Sequence, residues 1–560
     1  MPNGAPDARL NWWQTRWFAA LAALLATVPL WWPEVPPLVD LPGHMGRYRV
    51  QLAIDRFPHL AQWYDFRWQL IGNLGIDLLI EPFSRVFGLE LGVKLIAMSI
   101  PALIVAGLLW IAREVHGRVP ATALFALPLA YCYPFQFGFT NFALSMGLAL
   151  NLFALWLRMA RLNRVGLRAA LFVPLSCLLW LTHTFGWGVL GVLAFSAELI
   201  RQHDAASGER GFRRRWFVPL ARAGIGCLPL ALPMLLMLFW RSGDHVTGKT
   251  GDWFNWRAKF SYILMILRDR WIWWDVASAT VLYLILFKGV RDERIEYSRQ
   301  LALSASFLLL VFFLLPRVVF GSAYADMRLI PFVIAVALVA IRPKRGLSLK
   351  GATTLAALGL AFFAARLAGT TASFALYDRS YDGALAALDR VPVGARVVSF
   401  VGRRCRDEWA YSRLEHLPAM LLVRRLAYSN DQWSMAGAQL LTTRYSPAAG
   451  FAHDPSQMVT DRQCSRELWR PIDRALAEFP REAFDYVWLL RSPPYDPALL
   501  RGLTPVWRNG PHLLLRVDDR RQPRRLNGVN ASRSSRSAAT PSRSRRRKSA
   551  TAARKFGSGR

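Results

Sequence analysis

Sixteen residues, "PPLVDLPGHMGRYRVQ" (36–51), place Asp40, His44 and Arg47 directly after the apolar run "FAALAALLATVPLWW". A carboxylate in such a place can take a proton from a hydroxyl or hold a metal ion, and a histidine beside it can be a second ligand or a hydrogen-bond donor to a phosphate. Pro33, Pro36, Pro37 and Pro42 exclude a continuous helix, so Asp40 and His44 are expected to project from a stiff, partly extended segment. Taken alone, Asp40 also fits a solvated loop acid near a membrane surface. The rest of the chain has to decide.

Other polar residues interrupt apolar text in the same way. "YPFQFGFTNFALSMG" (133–147) brings Gln136 and Asn141 among aromatics, a mixture that suits a sugar-binding wall or an aromatic belt at a membrane interface. "WLTHTFGWGVLG" (180–191) puts His183 between two apolar runs, where an ionisable side chain is costly unless it faces a cavity or a partner. A helix–helix hydrogen bond is the alternative. "GSAYADMRLIPF" (321–332) carries Asp326 and Arg328. Arg328 could fork onto a lipid phosphate, and both residues could equally stabilise a helix start. The polar, aromatic stretch 241–260 resembles a substrate-covering loop. Its "GDHVTGKT" lacks the preceding strand that a phosphate-binding loop requires.

These residues need a scaffold, and composition says which kind. Of 560 residues, 53% are hydrophobic and 19% charged, with 23 Trp and 33 Phe, the balance of a membrane protein. Apolar runs at 17–32, 90–112, 120–134, 139–157, 169–183, 185–200, 219–240, 274–289, 299–316, 325–341 and 351–369 make about eleven spans at ~20 residues each. The fold expected is therefore mainly α, a polytopic transmembrane helix bundle. The first run has no small-residue cleavage site and reads as a retained span. Basic connections at 158–168, 201–216, 288–299 and 342–350 all fall on one side under this assignment, which makes that side cytoplasmic. The long first loop (33–89) then lies outside, with 68–88 as an interfacial helix.

The transmembrane domain is expected to occupy 1–369. Residues 370–518 read as a small soluble extracytoplasmic α/β domain, with short apolar runs such as "ARVVSFVG" and "FDYVWLLR" between helical text. Cys405 and Cys464 both fall there, and an oxidising compartment permits a disulfide between them. Residues 519–560 form a basic, Ser- and Arg-rich tail expected to be disordered. Residues 520–560 alone hold 14 Lys and Arg. Much of the formal charge of +33 lies in that tail, so nucleic acid is not the expected partner; membrane lipids are.

With its acid in the first external loop, the chain resembles the GT-C class of polytopic membrane glycosyltransferases. More narrowly, it resembles bacterial membrane proteins with a D-x-P-x-H-x-x-R loop, here Asp40, Pro42, His44 and Arg47. The resemblance implies transfer of a sugar from a polyprenyl-phosphate-linked donor to an envelope acceptor on the outer face of the bacterial inner membrane. Asp40 would be the general base, Arg328 or Arg47 would stabilise the departing phosphate, and His44, Gln136, Asn141, His183 and Asp326 would help bind substrate. A paired-acid pattern is not evident, only Glu34 being near Asp40, and this leaves a divalent metal ion open. The rival classes are a transporter or lipid flippase and a non-catalytic envelope assembly protein.

The orientation has a direct test. Cysteines introduced within 201–216 are expected to be shielded from an impermeant thiol reagent in intact cells, and those within 241–256 to be labelled. The reverse pattern would invert the topology.

Overall fold

Leu89–His116 shows how these residues make spans: Gly88 and Gly117, both at positive φ of 75°, bracket an apolar helix, because a left-handed residue ends a helix with little strain only when it lacks a side chain. The computed structural model describes residues 10–206, 213–242, 250–319, 322–344, 348–406, 408–410, 412–434, 439–464 and 469–521. All of them belong to one compact unit. The expected tail lies outside the described residues from 522 onward, as does 243–249 of the aromatic loop.

The chain is a mainly helical, multi-pass membrane protein. Among the described residues, six helices are long and apolar enough to cross a bilayer: Leu89–His116, Thr140–Arg161, Val165–Thr182, Thr184–Ala205, Ile272–Arg291 and Leu349–Arg390. Arg214–Gly226 and Leu228–Leu238 form a pair bent by 43°, which passes the same length and apolarity criteria when taken together. Arg16–Leu30, Arg299–Leu314 and Ile330–Ala340 are shorter apolar helices. The apolar run at 120–134 is instead a buried 3₁₀ helix, Ala121–Tyr131. Pro128 lies inside it, lacks an amide hydrogen and would clash with an α-helical carbonyl four residues back.

One segment differs in form from expectation, and one is a shorter helix than expected. The stretch after Asp40 is not extended: Leu41–Ala53 is an α-helix with Pro42 in its first turn, where the missing amide would have had no partner anyway. The amphipathic stretch at 68–88 contains the helix Gly75–Phe87, whose Asp77 is fully buried.

The C-terminal region is built on a seven-stranded mixed sheet. Its central strand, Arg396–Gly402, pairs in parallel with Tyr428–Ser429, Met458–Thr460 and Tyr486–Leu490. The hairpin Leu503–Asn509 with His512–Val517 extends the sheet antiparallel beyond Tyr486–Leu490. The first loop is stitched into this region, because Tyr64–Phe66 pairs antiparallel with Leu441–Thr443.

Cys405 and Cys464 are disulfide-bonded, their Cα atoms 5.4 Å apart. The bond closes a segment of 59 residues, for which chain entropy predicts about 4 kcal/mol of stabilisation. A non-reducing peptide map should recover the two cysteine peptides joined, and reduction should lower the melting temperature. Recovery of both as free thiols would contradict the bond.

Candidate functional site

Asp40 is held by its backbone. Its amide donates to the Phe137 carbonyl at 3.0 Å, and the amide of Val39 donates to that of Gln136 at 3.3 Å. The approach is so close that a Cβ on Gly138, at φ +98°, would lie 2.5 Å from the Asp40 nitrogen. Asp40 stands at the N-cap of Leu41–Ala53, yet its side chain makes no capping bond, the usual use of an aspartate there. The carboxylate has no hydrogen-bond partner among the described residues and stays 12% exposed.

The helix that follows lies face-on against the C-terminal region through its glycines. A Cβ on Gly43 would meet the Trp433 ring at 2.7 Å, and one on Gly46 would meet Gln432 at 2.6 Å. This contact brings His416 to Asp40, Nε2 to Oδ1 4.0 Å, with Asp431 on the other side, Oδ2 4.0 Å from Nδ1. Trp433 lies against both His416 (centroids 4.3 Å) and His44 (4.9 Å). Asp431 is oriented by the Ser429 hydroxyl, which donates to it at 2.8 Å.

Burial sets the charge states of this cluster. It pushes the Asp40 carboxyl up to about 7; the positive charges of His416 and Arg328 oppose the rise and Glu415 and Asp454 reinforce it. Asp431 is raised to about 6, by burial against the pull of His416. Burial works to lower His416, but Asp454, Asp40, Asp431 and Glu415 outweigh it and hold the imidazole above its ordinary value. His44 is pushed well down by burial and by Arg47, His416 and Arg328, so it is neutral at physiological pH. A carboxyl titrating near neutrality can both take and release a proton.

Beside this cluster is a cavity of about 240 Å³ lined by His44, Asn73, Asn141, His183, Phe185 and Arg328, among others. Arg328 lies 4.1 Å over the Phe139 ring and donates to Ser322 Oγ at 3.1 Å. His183 ends Val165–Thr182 and caps Thr184–Ala205, its Nδ1 accepting the Phe185 amide at 3.1 Å. A neutral His183 therefore carries its hydrogen on Nε2.

The sequence-derived residues divide into two groups. His44, His183, Asn141 and Arg328 line the cavity, and Asp40 stands in the adjoining cluster without lining it. Asn141 also has a structural duty: its side-chain oxygen accepts the Ile76 amide at 2.7 Å, and its amide reaches Asp77 at 3.2 Å. Arg47 turns away to a buried ion pair with Asp77 at 2.8 Å, and it also bonds Gln439. Gln136 does not line the cavity; it accepts from the buried Arg413 at 2.9 Å, which also pairs with Asp269. Asp326 is likewise absent from the lining and is locked to Lys259 at 2.9 Å, both fully buried. Both are thus held in buried polar contacts in this structure. Breaking such a pair leaves an uncompensated buried charge, at a cost of about 3–5 kcal/mol.

His416, Asp431 and Trp433 did not emerge from the sequence, since they lie in the region read as a separate soluble domain. One signal was present: "SNDQ" (429–432) is an unbroken polar run, yet every member is fully buried. Among the described residues, no group of three or more His, Cys, Asp or Glu side chains is arranged to hold a metal ion. No family model matches the chain, and no curated protein is significantly similar to it.

The raised Asp40 carboxyl makes a prediction about stability. For an acid whose folded value exceeds its unfolded one, the stability it contributes is complete below about pH 4 and is lost as pH rises through about 7. Asp40→Asn removes that loss. The variant should melt higher than the wild type at pH 8, with the gap closing toward pH 4; parallel melting curves across that range would contradict a buried, unsatisfied carboxylate.

Proposed function

We propose that this chain is a membrane glycosyltransferase of the GT-C type, moving a sugar from a polyprenyl-phosphate-linked donor to an envelope acceptor. The observation that carries the reading is Asp40: a buried carboxyl titrating near 7, without a hydrogen-bond partner among the described residues, fixed beside a cavity with an arginine in its wall. Structural acids in this chain are spent on cations, as Asp77 and Asp326 are. Asp40 is kept available.

The chemistry follows from the placement. Asp40 accepts the proton of the acceptor hydroxyl as its oxygen bonds to the sugar's anomeric carbon, and the bond from that carbon to the phosphate oxygen breaks. The leaving phosphate gains negative charge, which Arg328 is suited to stabilise. Arg47 is less suited, because Asp77 already neutralises it. His416, 4.0 Å from Asp40 and 4.0 Å from Asp431, positions and discharges the base between turnovers. Phe139, Phe142 and Phe185 with Asn73, Thr140 and Asn141 give the mixed apolar and amide lining that a sugar ring needs. An apolar groove of about 460 Å³ lined by Trp187, Gly191, Met234 and Leu310 shares two helices, Thr184–Ala205 and Leu232–Ser242, with the cavity, and suits an isoprenoid tail.

In this reading the site faces the outer side of the bacterial inner membrane, the C-terminal region is extracytoplasmic, and membrane lipids surround the bundle. The positive-inside loops and the disulfide support that orientation.

The test is turnover of a lipid-linked sugar by the purified protein in nanodiscs. Asp40→Asn should lower the rate by about 10²–10⁴-fold while the protein stays folded. Arg328→Ala should raise the donor concentration needed for half-maximal rate. Full turnover by Asp40→Asn would remove Asp40 as base. Movement of a lipid-linked sugar between leaflets without transfer would favour a transporter or flippase, and intact cellular function with Asp40→Asn would favour an assembly role.

A further inference from the structure

Three parallel strands, Arg396–Gly402, Met458–Thr460 and Tyr486–Leu490, end at one edge of the sheet. From the central strand the chain moves to the Met458–Thr460 side, whereas Tyr486–Leu490 lies on the opposite flank and leads on to the terminal hairpin. Connections that leave two neighbouring strands in opposite directions open a crevice between their carboxyl ends, the usual ligand position in α/β sheets. Here the crevice is a cavity of about 710 Å³, and its walls include Arg403, Arg404, Arg406, Arg462 and Arg491 against two acids, Glu408 and Asp461.

Packing accounts for Arg403, which lies 5.3 Å from the Trp469 ring, but gives no reason to bring the exposed Arg406, Arg462 and Arg491 beside it. Arg403 pairs with Glu415, and Arg404 with Glu408 at 2.6 Å. Arg406, Arg462 and Arg491 have no carboxylate partner among the described residues. Loops carrying like charges repel, yet here they are joined covalently: Cys405 sits between Arg404 and Arg406, and its disulfide partner Cys464 follows Arg462 by two residues. The third loop is held just as closely. A Cβ on Gly402 would overlap the Arg491 carbonyl oxygen, and Arg491 itself adopts φ +45°, a conformation costly for a residue with a side chain and typical of ligand clamps.

We propose that this crevice binds a multiply charged phosphate group, such as a pyrophosphate or a phosphomonoester. Arginine forks match phosphate oxygens in pairs, and converging cations lose their mutual repulsion when an anion sits between them. The site shares no lining residue with the cavity walled by His44 and Arg328 and does not depend on the transferase reading. The phosphate could belong to a lipid headgroup or to a water-borne molecule.

The experiment is calorimetric titration of the full-length protein, in phosphatidylcholine nanodiscs at low ionic strength, with inorganic pyrophosphate. Saturable binding of one pyrophosphate per chain is expected. It should weaken at least tenfold in the combined variant Arg406→Gln/Arg462→Gln/Arg491→Gln and be unchanged in Arg85→Gln, an exposed arginine of another helix. Melting temperature and an intact disulfide establish that the variant is folded; should it not fold, Arg462→Gln alone should weaken binding at least threefold. Weaker binding in phosphatidylglycerol nanodiscs would assign the site to lipid headgroups, and equal binding to a water-borne phosphate. Absence of saturable binding, or undiminished binding in the folded variant, overturns the proposal.

Discussion

A carboxylate can be kept free inside a protein only if the backbone that carries it is fixed by something else. At Asp40 that support is a main-chain contact, two amides of the first loop donating to the carbonyls of Gln136 and Phe137 across Gly138. No larger residue than glycine fits at 138 without pushing Asp40 away. The geometry of the cluster rests on this approach, because the helix that begins at Asp40 also carries His44, Gly43 and Gly46 to the C-terminal region.

The second support is the glycine face of that helix. Trp433 and Gln432 occupy the space that side chains at 43 and 46 would fill, and this brings His416, which faces Asp431 on its other side, to 4.0 Å from Asp40. The cluster is thus assembled from the first loop and from residues nearly 400 positions later. The antiparallel pairing of Tyr64–Phe66 with Leu441–Thr443 ties the same two regions together a short distance away.

Charge is handled in two ways. Within the bundle, ions are neutralised in pairs: Lys259 with Asp326, Arg366 with Asp275, Arg168 with Glu198. Each pair is buried, and each reduces the cost of an ion removed from water. Around Asp40 the opposite holds. Four acids, Asp40, Glu415, Asp431 and Asp454, act on one histidine; Glu415 is also paired with Arg403, and the Asp40 and Asp431 carboxyls are raised toward neutrality. A cluster with more acids than bases is costly to fold and useful for moving protons.

Much was legible in the amino-acid order alone. Apolar runs marked the helices because the cost of unsatisfied backbone in lipid forces each run into helix, and the singled-out Asp40, His44, His183 and Arg328 stand together because polar side chains amid apolar text need a cavity or a partner. Local order could not separate a cavity from a partner. Asp326 and Gln136 looked like Arg328 and Asn141 in sequence, but Lys259 and Arg413, 67 and 277 residues away, claim them. The helix after Asp40 was hidden by Pro42, whose meaning depends on whether it falls in a first turn or an interior. His416 and Asp431 were invisible for a plainer reason: their environment is made by the packing of one glycine-faced helix against a distant region, and only the tertiary structure decides which distant residues meet.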